Sequence, residues 1–91
     1  MFIAVTRIKD VPAPVIDRMM EGFRHGALEL KQFEGFLGFE LWRTPSSLEA
    51  VSRWTSRAAM EAYRASPLFG AHHGGGQQGG EVAQYDAEVV C

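Results

Sequence analysis

Apolar residues recur along this chain with two different periods. Phe2 to Ile8 is β-branched and aromatic, and Lys9-Asp10 with Pro12 and Pro14 closes it, which is how a strand runs into a breaker. Pro14 suits the first turn of a helix, where its missing N–H is no loss. Ile16, Met19, Met20, Phe23, Ala27 and Leu30 then fall in one narrow arc at about 100° per residue. The spacing predicts an amphipathic helix with one face on a core. Gly26 weakens it by roughly 1 kcal/mol relative to Ala without ending it. Glu34-Gly35 supplies the stop.

Phe36 to Arg43 reads as a second strand and Leu48 to Trp54 as a third, joined through the turn cluster Thr44-Pro45-Ser46-Ser47 as an antiparallel hairpin. Ser56 is placed to cap a second helix reaching Tyr63. Ser66-Pro67 repeats the pattern and opens a short third helix, Leu68 to His73. Gly74 to Gly80 is a glycine-rich loop, and Val82 to Val90 is a last strand with Ala83, Tyr85, Ala87 and Val89 on one face. The order is β-α-β-β-α-β with a helical extension. It suits an α+β, ferredoxin-like protomer with a four-stranded antiparallel sheet and both helices on one face.

Strict alternation along the first strand sets Phe2 and Ala4 against Ile3 and Val5. Along the second it sets Phe36 and Trp42 against Leu37, Phe39 and Leu41. A sheet with one wet face alternates apolar with polar, whereas these strands read as apolar on both. The helices cover one face, and a symmetric partner sheet is the simplest cover for the other. The expectation is a homodimer, with Leu37, Phe39 and Leu41 as the residues that test which face makes it.

Composition agrees. Ninety-one residues make one domain, 1–91, and a chain this short buries only about two-thirds of its unfolded surface. Yet 46% of the residues are hydrophobic and 11% aromatic, an excess that a partner chain or a bound apolar ligand would cover. A net charge of −2 with scattered basic residues gives no footprint for nucleic acid or a membrane surface. No apolar run approaches the ~20 residues of a membrane span, and the N-terminal stretch has no signal-peptide pattern. The single Cys91 makes no intrachain disulfide, so a reducing cytoplasm is the expected location.

Few motifs carry chemistry by themselves. The loop GGGQQGG lacks the Lys and Ser/Thr of a phosphate-binding loop and leads into a strand, so it reads as a connector. Among the three histidines, His25 lies opposite the apolar arc of the first helix and faces water. No Cys or carboxylate stands at zinc-ligand spacing from the His72-His73 pair, whereas a haem iron needs only one neutral imidazole at an apolar pocket. Trp42 and Trp54 read first as core residues, and Trp54 could also line a cavity between helices and sheet.

The stretch SRWTSRAAMEAYRASPLFGAHH resembles the antibiotic biosynthesis monooxygenase superfamily, and within it the IsdG-type haem-degrading monooxygenases. Its marks are a strand ending in Trp54, a helix capped by Ser56 and carrying Tyr63, and then Ser66, Phe69 and His73. EGFLGFELWR is similar to the family's second strand, so the likeness covers nearly the whole chain. The resemblance implies a dimeric α+β barrel. It also implies haem held by His73, with His72 as the adjacent alternative, and Trp54 pressing on the porphyrin. The family's first-strand Asn falls on Thr6, whose hydroxyl donates a single hydrogen bond. The basic residue that follows the histidine in many members is Gln77 here, which leaves propionate anchoring to Arg24. Phe23 and Phe69 would flank the pocket.

Three functions are compatible with that resemblance. The first is a haem-binding monooxygenase that opens the porphyrin with O₂ and releases iron, with Trp54, His73 and Thr6 as its catalytic set. The second is a cofactor-independent monooxygenase of a polycyclic phenol or quinol, using His73, Tyr63 and Thr6. The third is a non-catalytic dimeric barrel that binds a small apolar or aromatic molecule.

Overall fold

In the computed structural model, which describes residues 1–67 and 81–91, four antiparallel strands make one sheet in the order β2-β3-β1-β4. The strands are β1 (Phe2–Ile8), β2 (Phe36–Arg43), β3 (Leu48–Trp54) and β4 (Glu81–Asp86). The helices are α1 (Ala13–Ala27), which tightens into a 3-10 helix over Leu28–Gln32, and α2 (Arg57–Arg64). This is the α+β, ferredoxin-like arrangement expected from the pattern. The expected third helix and the glycine loop lie outside the described residues, and so do Phe69, His72 and His73.

Local chemistry accounts for the element ends. Pro14 sits in the first turn of α1, and Arg24 and His25 occupy its last turn, where positive charge favours the helix dipole. Ser56 caps α2, its Oγ accepting from the Ala59 amide at 3.2 Å. Gly35 adopts φ +86 and lets the chain turn into β2. A Cβ there would lie 2.6 Å from both the Ala59 Cβ and the Thr55 Oγ1, so only glycine fits. The carbonyl of Gly35 accepts from the Thr55 amide at 2.8 Å, joining the start of β2 to the end of β3.

The helices cover the face that carries Phe2, Ala4, Thr6 and Ile8, which pair across to Trp54, Ser52, Ala50 and Leu48. Phe2, Leu30, Trp54, Met60 and Tyr63 form the buried cluster there, and Ile16 and Leu48 are also fully enclosed. Burying each such side chain stabilises the fold by about 1.5–3 kcal/mol before entropy is counted.

Strand β2 departs from simple alternation. Phe36 stands opposite Trp54 while Gly38 stands opposite Arg53, so Leu37 is the extra residue of a β-bulge. Everything after it changes face, because side-chain direction has a period of two. Phe36, Phe39 and Leu41 therefore share the helix-covered side, and Glu40 and Trp42 point the other way. The grouping of Leu37, Phe39 and Leu41 on a dimer face is thus corrected.

The uncovered face is also less uniformly apolar than alternation implied. Its middle is the buried pair Val5 and Val51, with Ile3 and Ala83 beside them. Around these run ion pairs, Arg53 to Glu40 at 3.0 Å and Arg7 to Glu49 at 3.5 Å. Trp42 and Tyr85 stand exposed on this side, the indole donating to Glu40 at 2.9 Å and the phenol accepting from Arg7 at 2.8 Å.

Finally, β4 ends at Asp86 rather than Val90. Asp86 pairs with Phe2, the first residue of β1, and Ala87 makes a last bond to the Met1 carbonyl at 2.8 Å.

Candidate active site

On the helix-covered side, an elongated groove of ≈ 490 Å³ runs between the C-terminal half of α1, its 3-10 extension and β2. One wall is Met20, Arg24, Ala27, Leu28 and Lys31, residues that recur every three or four positions along the helical segment. The facing wall is β2 from Phe36 to Phe39, with Leu41. The volume suits a small organic molecule, which such pockets enclose mainly with apolar side chains and a few placed charges. The bulge shapes this wall by bringing Phe36, Phe39 and Leu41 to one side and leaving Leu37 at the edge.

Behind Phe36 lies a stack of aromatic rings. Phe36 meets Trp54 edge-on at 5.4 Å, Trp54 lies nearly parallel to Tyr63 at 5.7 Å, and Phe33 meets Tyr63 edge-on at 5.3 Å. These are favourable ring geometries. The indole N–H of Trp54 donates to the Ser52 hydroxyl at 2.9 Å, and that hydroxyl reaches the Ala4 carbonyl at 3.5 Å. Burial pushes the Tyr63 phenol up to about 12, and the nearby Glu29 carboxylate adds to the shift.

Of the residues expected at a site, Arg24 lines the groove and Phe23 supports it, its ring 6.0 Å from that of Phe39. Trp54 does not line it; the residue is fully buried, one ring behind Phe36. Thr6 is on the same face of the sheet but pairs with Ala50, which pairs with Leu41, so it stands two strands away from the groove wall. Along β1 it is four residues from Phe2, the partner of Trp54, a separation of about 13 Å at a strand's rise per residue. The described residues therefore do not bring Trp54 and Thr6 together. His72, His73 and Phe69 lie outside them.

Sequence reasoning missed Lys31 and Leu28. Leu28 stands four residues beyond Arg24 and Lys31 four beyond Ala27, and that spacing carried the signal, since a helix wall repeats at it. Among the described residues no group of three or more His, Cys, Asp and Glu is placed to hold a metal ion. Nor does any helix among them have the length and apolarity to cross a membrane.

The chain has a ferredoxin-like α+β fold with an apolar groove between its first helix and an edge strand. The chain belongs to the antibiotic biosynthesis monooxygenase family, whose model matches residues 1–75. It is similar to a haem oxygenase (mycobilin-producing) of Mycobacterium tuberculosis, 34% identical over 68 residues. That match covers 71% of this chain, and the chain spans about 65% of the length of that relative. The fold is similar to that of SnoaB, a cofactor-independent oxygenase from Streptomyces nogalater, with a TM-score of 0.80 and 21% identity over 98% of this chain and 94% of that one. A conserved protein from Methanosarcina mazei Go1 superposes with a TM-score of 0.76 at 15% identity, covering 97% of this chain and 94% of that one.

Proposed function

We propose that this protein is a haem-binding monooxygenase that takes the porphyrin into the groove between α1 and β2 and degrades it with O₂. The observation that carries this reading is the composition of the groove. Its walls are apolar, and its charged members are two cations, Arg24 and Lys31. A flat hydrophobic ring bearing carboxylates has the complementary pattern, and the 34% identical haem oxygenase supports the same ligand. The groove residues fit the group. Met20, Phe36, Phe39 and Leu41 would exclude water from the ring and Arg24 would hold a propionate; His73, which lies outside the described residues, would supply an imidazole to the iron. When bound, haem supplies the iron at which O₂ is activated. Trp54 takes a supporting role in this reading, fixing the orientation of Phe36 from behind.

Titrating haem into purified protein should give a saturable Soret shift that His73→Ala removes. With ascorbate and O₂, the bound spectrum should then bleach. No saturable shift at stoichiometric haem overturns the reading, and a bound spectrum stable under those conditions leaves a haem carrier.

The burial of Trp54 and its distance from Thr6 favour a second reading. A cofactor-independent oxygenase needs no indole against a porphyrin, only a groove that holds a polycyclic phenol or quinol beside a base. O₂ uptake with an anthrone by metal-free protein is its signature.

The working unit in either case is proposed to be a homodimer through the uncovered sheet face. A second copy would bury Trp42 and Tyr85, the exposed rings of that face. The intrachain ion pairs Arg53–Glu40 and Arg7–Glu49 neutralise the charges that such an interface would bury.

A further inference from the structure

The two cations of the groove are not equivalent. Arg24 lines the groove, yet its Nη1 lies 3.1 Å from the Glu21 carboxylate one turn earlier on α1. The other oxygen of Glu21 is 3.1 Å from the His25 Nε2, so one exposed carboxylate outside the groove lining is shared by Arg24 and His25. Lys31, two turns further along the same wall, has no ion-pair partner among the described residues. Among the described residues, the groove lining contains no carboxylate.

We propose that the groove selects planar aromatic acids, with Lys31 as the primary anchor for the ligand's acid group and Glu21 as a latch that holds Arg24 back until a ligand carboxylate displaces it. The inference deepens the proposed function and rests on its assignment of the groove as the binding site. Two physical points support it. A cation without a counter-ion beside an apolar wall gains more from a ligand carboxylate than one that must first break a pair. Exposed pairs such as Arg24–Glu21 are also weak enough to exchange, each holding its geometry with well under a tenfold preference. Glu21 is thus a positioning and specificity residue. It touches no ligand but sets how available Arg24 is.

The test compares each acid with its uncharged counterpart. One pair is haem and haem dimethyl ester, followed by the Soret band. The other is 1-anilinonaphthalene-8-sulfonate and N-phenyl-1-naphthylamine, followed by fluorescence. All three side chains are exposed, so Lys31→Ala, Glu21→Gln and Arg24→Ala should fold as the parent does. Lys31→Ala should weaken the acids about 3- to 5-fold and leave the neutral probes unchanged, an effect that shrinks at high salt. Glu21→Gln should tighten the acids about 3-fold, and adding Arg24→Ala should abolish that gain. If acid and neutral probes respond alike to these changes, or no probe binds, the inference is overturned. If the naphthyl pair discriminates while haem does not bind, the haem reading fails and the acid-selective groove stands.

Discussion

Folding places Tyr63 in a stack of aromatic rings. Its ring is sandwiched between Trp54 and Phe33, and its phenol is pushed up to about 12 from an ordinary value of 10.0. Because the folded state holds the proton more tightly than the unfolded chain, the stabilisation is complete below pH 10. It is lost as the pH rises from 10 towards 12, at a total cost of the order of 2 kcal/mol. Chemical denaturation at pH 9 and pH 11 should therefore show a fall in stability, and Tyr63→Phe should flatten most of that slope. An unchanged slope in the variant would assign the alkaline loss to other groups. The opposite shift occurs at Glu40. Hydrogen bonds from Arg53 first, and then from Trp42, hold its carboxyl below the usual carboxylate range. This favours the charged form on the outer face of the sheet.

At the scale of elements, the bulge in β2 decides what the groove is. Without the extra residue Leu37, strict alternation would turn Phe39 and Leu41 away from the helices and put Glu40 and Trp42 beneath α1. With it, Phe39 meets Phe23 at 6.0 Å and closes the end of the buried cluster. Phe39→Asp should consequently destabilise the protein by about 3 kcal/mol or more, through a lost ring and a carboxylate placed among apolar groups. Urea denaturation is the direct measurement. A cost below about 1 kcal/mol, with association impaired instead, would return Phe39 to the outer face.

For the whole molecule, the decisive question is what lies against the second sheet face. Trp42 is 48% exposed and Tyr85 43% exposed, on the flanks of a buried valine pair. In the proposed homodimer both rings become interface anchors, a role in which aromatic residues dominate. Trp42→Asp should shift the protein from dimer to monomer in sedimentation velocity at micromolar concentration, while leaving the groove's acid selectivity intact in any monomer that remains folded. A persistent dimer would move the interface elsewhere. The same experiment separates the two sheet faces by role, since Phe39 and Trp42 are three residues apart on one strand but belong to opposite sides.

Much of this architecture was legible from residue order alone. The bounds of β1, β2 and β3 coincide with their apolar runs, Ser56 marks the start of α2, and the apolar arc of α1 packs inward as its period requires. These features depend on neighbours within a few residues, so local chemistry determines them. The faces of β2 were not legible, because a bulge is settled by how one strand registers against another. The end of β4 was not legible either, since a strand's extent depends on which residues of its neighbour pair with it, here up to Phe2 with Asp86. The same limit applies to the site. Arg24 was found from sequence, and the spacing places Lys31 on the same helix wall, but only the packing of that wall against β2 makes it a groove residue. Trp54 has the same identity in either description. Only the tertiary packing of Phe36, Tyr63 and Met60 around it determined that its indole is sealed behind the groove wall.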